Sequence, residues 1–128
     1  MKDTPYLWMG PGWSAWLEMP PDASHAALVA VAERICRDFG GVVIERYPEQ
    51  AEENSKEYWW VDVSGVKLML MRKPPAIPVG ISAPSEGVDV LIRLASTFGG
   101  RLEFVGWRWP LWRAWRRLRC LRVRKRAD

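Results

Sequence analysis

HAALVAVAERICRDFGGVVI, residues 25–44, decides the fold. Leu28, Val31, Ala32, Ile35 and Phe39 recur at the i, i+3, i+4 spacing of an amphipathic helix and so share one apolar stripe. A helix that stops there needs a residue at positive φ, and the glycine of Phe39-Gly40-Gly41 takes that position without a Cβ clash. Asp22 or Ser24 can cap its first turn. Val42-Val43-Ile44 then reads as a strand.

The same order recurs in GVDVLIRLASTFGGRLEF, residues 87–104. Val88, Leu91, Ile92, Ala95 and Phe98 form the stripe, Ser85 is the cap, and Phe98-Gly99-Gly100 is the stop before the strand Leu102-Glu103-Phe104. The two Phe-Gly-Gly triplets lie 59 residues apart. Each helix follows a candidate hairpin: Tyr6–Met9 with Trp13–Glu18 around Gly10-Pro11-Gly12, and Tyr58–Val63 with Val66–Met71 around Ser64-Gly65. Within the second hairpin Trp60 and Asp62 alternate with Trp59, Val61 and Val63, the pattern of a half-buried strand.

These signals predict an α+β fold in which a strand–strand–helix–strand unit is duplicated, with pseudo-repeats at 5–46 and 57–107. The expected sheet has six strands, mostly antiparallel, with both helices on one face and the other face open. Residues 1–108 would form this single domain and 109–128 a basic amphipathic helix. Two connections separate the units. Tyr47–Lys56 is polar and acidic and reads as a mobile loop, while Arg72–Pro84 holds four prolines and reads as a stiff extended connector.

A chain of 128 residues suits one core, closed without disulfide or metal. The two cysteines, Cys36 and Cys120, read as reduced thiols. Lys2 is followed by Asp3, and no segment reaches the ~18 apolar residues of a membrane span. The expectation is a cytoplasmic protein.

The net charge of +4 is unevenly distributed. Residues 1–106 carry ten Lys/Arg against fourteen Asp/Glu, a net −4, whereas residues 107–128 carry nine against one, a net +8. An acidic body argues against a nucleic-acid face on the body itself.

Enzyme signatures do not emerge. His25 stands alone at a helix start, where a surface or capping role is the plain reading. One histidine and two distant cysteines make no zinc site, and no cofactor is implied. The glycine pairs follow helices, the wrong end of the dipole for a phosphate. Glu45 with Asp62, and Glu18 with Glu103, could share a face, as carboxylates on solvated strands commonly do.

The tail, WRWPLWRAWRRLR from Trp107 to Arg119, has the most distinctive chemistry. Pro110 suits a first helical turn. Leu111, Ala114, Trp115, Leu118 and Leu121 fall on one face, with Arg113, Arg116 and Arg117 opposite and Trp112 at the border. That face can pack on the acidic body, and Trp112, Arg113, Trp115, Arg116 and Arg117 can serve an anionic surface. The leading expectation is a non-catalytic protein that binds another protein through Trp13, Trp16, Trp59 and Trp60, since aromatic residues dominate binding hot spots. A bacterial immunity-type inhibitor of a cognate toxin is such a protein. The alternative is a peripheral membrane or nucleic-acid binder acting through the tail, and an open sheet also permits a homodimer.

Overall fold

The computed structural model describes residues 5–19, 23–50, 52–75, 77–97 and 102–127, with side chains described through Leu118. The chain runs β1 (Tyr6–Met9), β2 (Ala15–Glu18), α1 (His25–Phe39), β3 (Val42–Tyr47), β4 (Glu57–Val63), β5 (Val66–Lys73), β6 (Ile77–Ala83), α2 (Val88–Thr97), β7 (Glu103–Val105) and α3 (Arg108–Ala127). The strands form one seven-stranded sheet in the order β3-β4-β5-β6-β2-β1-β7, antiparallel throughout except where β7 runs parallel to β1.

α1 forms as its sequence dictates. The Ser24 hydroxyl accepts from the Ala27 amide at 3.1 Å, satisfying one of the orphan donors of the first turn. Gly40 closes the other end at φ 67°, and the Gly41 amide donates back to the Ile35 carbonyl. Leu28, Val31, Ala32 and Ile35 are buried, and Phe39 packs against their margin. In α2 the buried stripe is Val88, Leu91, Leu94 and Ala95; Ile92 is half-buried, and the Phe98-Gly99-Gly100 stop lies outside the described residues.

The fold departs from expectation at its centre. The proline-rich segment is not a connector: Ile77–Ala83 is β6, which joins the β4–β5 hairpin to the β1–β2 hairpin. The sheet therefore has seven strands, not six, and duplication of one unit is not shown. Proline normally argues against an interior strand because it cannot donate to the ladder. Pro78 is tolerated because the β5–β6 register slips there, between Met71↔Gly80 and Lys73↔Ile77.

Ser64 and Gly65 both have positive φ, 52° and 87°, as a two-residue type I′ hairpin turn requires. The Asp62 carboxylate accepts from the Gly65 amide at 2.9 Å, so this acid supports the turn. The core lies between the sheet and its helices. Leu7, Met9, Leu17, Val61, Leu68, Leu70, Val79 and Ile81 project into it from the strands. α1 lies over β3, β4 and β5, and α2 over β2 and β6. Trp109, in the first turn of α3, is buried in the same core.

Candidate protein-binding surface

The strand register that buries one set of side chains presents the alternate set on the opposite face. There the ladder aligns Glu45, Trp60, Met69, Ser82, Trp16, Trp8 and Val105 in one row across all seven strands. The adjacent row reads Tyr47, Tyr58, Met71, Gly80, Glu18, Tyr6 and Glu103. Aromatic rings and flexible thioethers occupy the middle, and Glu45 and Glu103 stand exposed on the two edge strands. No described helix covers this face.

Two contacts fix its shape. Trp16 lies flat over Gly80, where an added Cβ would overlap the indole. We predict that Gly80→Ala costs about 1–3 kcal/mol, because the ring must leave its seat or the strand must shift. A lowered urea midpoint with an altered near-UV tryptophan signal would show this; an unchanged signal would place the indole elsewhere. The second contact is Tyr6 with Glu18. Burial, a hydrogen bond to the Glu18 carboxylate and that group's negative charge together push the Tyr6 phenol up to about 12.

The four tryptophans expected to bind together are divided by the structure. Trp16 and Trp60 share the open face. Trp59 points the other way and is buried beneath α1. Trp13 sits on the Pro11–Trp13 turn beside α3. Trp8, Tyr58, Met69 and Met71 join the face instead. Trp60 fixes the parity of β4, and a two-residue turn at Ser64-Gly65 fixes that of β5, so three of these four were within reach of the sequence.

Behind Trp59 lies a buried polar cluster. Glu57 and Arg72 are 1 % and 0 % exposed. Arg72 Nε donates to Glu57 Oε1 at 2.6 Å, His25 Nδ1 lies 2.8 Å from the same oxygen, and Trp59 Nε1 donates to Oε2 at 2.7 Å. The rest of the guanidinium donates to the carbonyls of Ala23, Glu53 and Glu52 at 3.1, 2.8 and 2.8 Å. The acidic segment expected to be a mobile loop is thus held to the sheet by two of its own carbonyls. Burial alone would raise the Glu57 carboxyl, but hydrogen bonds from His25, Arg72 and Trp59 outweigh it and hold the group below the usual carboxylate range.

A shallow groove of about 660 Å³ adjoins this cluster between α1 and β3. His25, Cys36, Arg46 and Trp59 are among its walls, and the Arg46 guanidinium stacks 4.3 Å from the Trp59 ring. A carboxylate-oriented imidazole is half of a general-base device, yet the groove's one thiol, Cys36, is eleven residues along α1 from His25, roughly 16 Å. Among the described residues, no group of three or more His, Cys, Asp or Glu is placed to hold a metal. Glu18 and Glu103 share the open face with Tyr6 between them.

The tail helix sits on the body with an unexpected face inward. Trp109 Nε1 donates to the carbonyls of Leu7 and Val105, at 3.1 and 3.0 Å. Arg113 stacks over Phe104, and Arg116 pairs with Asp89 of α2 and lies over the half-buried Trp112. Arg113 and Arg116, expected on the free side, therefore face the body, while Leu111, Ala114, Trp115 and Leu118 face out. Of the proposed anionic-surface residues, Arg113, Trp115, Arg116 and Arg117 are exposed and Trp112 is half-buried. No described helix is long and apolar enough to cross a membrane. The chain matches no protein-family model, no curated protein and no solved structure.

Proposed function

We propose that this chain is a non-catalytic protein-binding protein that engages its partner with the open face of the sheet. The observation supporting this is the row of Trp60, Met69, Ser82, Trp16 and Trp8 across that face, aromatic or thioether on every one of these strands but β6. Large, stiff aromatic rings bury much area at small entropic cost, and methionines adapt to an irregular partner surface. Glu45 and Glu103 at the two edges favour a partner whose apolar patch is rimmed by lysine or arginine. An immunity-type inhibitor covering the basic face of a toxin would act in this way.

Trp8→Ser/Trp60→Ser is expected to weaken capture of the partner at least ~100-fold, the scale of two lost hot spots. Circular dichroism should remain that of the wild type, because both side chains are partly exposed. Leu111→Ser/Trp115→Ser in α3 should leave capture unchanged. The measurement is calorimetric titration with the protein that wild type retains from its host. A partner lost with the α3 variant but kept with the sheet variant would rule out this reading.

A further inference from the structure

The orientation of α3 leaves a feature that binding through the sheet does not use. Trp107 in the turn before α3, and Leu111, Trp115 and Leu118 on the helix, follow one another at i, i+4, i+8 and i+11 as one stripe and are 53–66 % exposed. An amphipathic helix ordinarily buries its stripe; here Trp109, Trp112 and Arg116 hold the helix down and turn the stripe to solvent. Beside it stands Trp13, 40 % exposed, across a groove of about 640 Å³ walled by Leu111, Trp112 and Trp115. Trp13 adopts φ 60°, a left-handed conformation that is strained for a bulky residue. That backbone brings a fifth large apolar side chain to the same side of the molecule.

We propose that this side is a docking face for an anionic membrane surface, with α3 lying in the plane of the headgroups. Charge selects the occupant. Residues 107–128 hold nine Lys/Arg and one acid, whereas residues 1–106 are net negative. A second copy of the chain is disfavoured, because pairing two such stripes would set nine cations against nine. Phosphates of a nucleic acid would satisfy the arginines and leave Leu111 and Leu118 in water. Anionic lipid satisfies both: headgroups meet the cations, and the acyl boundary receives leucine, with tryptophan at the interface where its ring is both apolar and hydrogen-bonding. The helix lies on the bilayer and does not cross it, since its charge density forbids burial.

The test is co-sedimentation of the full chain with phosphatidylcholine vesicles containing phosphatidylserine, against phosphatidylcholine alone. Wild type is expected to bind the anionic vesicles at least ~10-fold more tightly, with a blue shift of tryptophan emission and weakening by added salt. Leu111→Ser/Trp115→Ser should lose ~10-fold or more of that binding while keeping its circular dichroism spectrum. Trp13→Gly should weaken binding while holding or raising the melting temperature, because glycine accepts φ 60°; a role in the fold alone would lower it. Absence of binding to anionic vesicles overturns the proposal. So does vesicle binding undiminished in the serine variant, or a concentration-dependent dimer that the same variant abolishes. Duplex DNA binding unaffected by that variant, without vesicle binding, overturns it as well.

Discussion

Arg72→Ala is expected to destabilise the protein by about 3–5 kcal/mol, the cost of leaving a buried charge without its partner. Arg72 is fully buried and supports two things at once: it neutralises Glu57 and donates to the carbonyls of Ala23, Glu52 and Glu53. Its loss strands a carboxylate in the core and releases both the start of α1 and the acidic segment before β4. Hydrogen exchange should show lost protection around Ala23–Ala27 and Glu52–Glu57, before any loss in the β1–β2 hairpin. Glu57→Gln should cost a comparable amount, since it leaves the buried Arg72 without its counter-charge and sets an amide NH2 against the Trp59 or the Arg72 donor. The double replacement Glu57→Leu/Arg72→Met should be less damaging than Arg72→Ala, because an apolar pair has no charge to desolvate. Urea denaturation of the three variants decides the matter; a loss below 1 kcal/mol in Arg72→Ala would mean that water reaches the cluster.

The same cluster contributes to the acid sensitivity of the fold. The Glu57 carboxyl is held below the usual range, so near its ordinary pKa of ~4.3 the unfolded chain binds a proton that the native chain does not. Its contribution is therefore complete above that value and lost as pH falls towards the lowered one. Glu57→Gln should flatten this part of the stability–pH profile.

Trp109→Ala is the second large effect, about 3–5 kcal/mol for emptying the volume of a buried indole. Trp109 joins elements far apart in the chain: its N–H reaches the Leu7 carbonyl on β1, and its ring packs edge-on with Phe104 and Trp112. The loss should concentrate in β7 and α3. Limited trypsin digestion is the measurement, since α3 is rich in arginine, and cleavage within 108–119 should accelerate well before the β4–β5 hairpin is attacked. Trp109→Phe keeps most of the volume and loses the donor, so it should cost about 1 kcal/mol. Equal proteolysis of wild type and Trp109→Ala would show that α3 does not depend on this anchor.

Local chemistry made α1 readable: a serine cap, a stripe every three to four residues and a glycine at positive φ are decided within a few residues of chain. The β4–β5 hairpin was as readable, because Ser64-Gly65 fixes a register in which Glu57 falls opposite Arg72 and Trp60 opposite Met69. Glu57 and Arg72 occupy inward positions of alternating strands, so the buried ion pair is written into the register that this turn sets. β6 was not. Its prolines signal an extended connector, and its place in the middle of the sheet depends on a register slip with β5 that no local pattern records.

For this protein, then, sequence alone determined which segments are helical, where the two hairpins turn, that the class is α+β, and that positive charge collects at the end of the chain. Tertiary structure decided which face each side chain serves: Trp59 inward and Trp60 outward of the finished sheet, Trp13 with α3 and not with Trp16, and the leucine stripe of α3 towards solvent. The physical reason is one of range. Capping, turn and periodicity energies act between neighbours in the chain, whereas burial is settled by surfaces that meet only when distant segments pack, as Trp109 does on Leu7 across 102 residues.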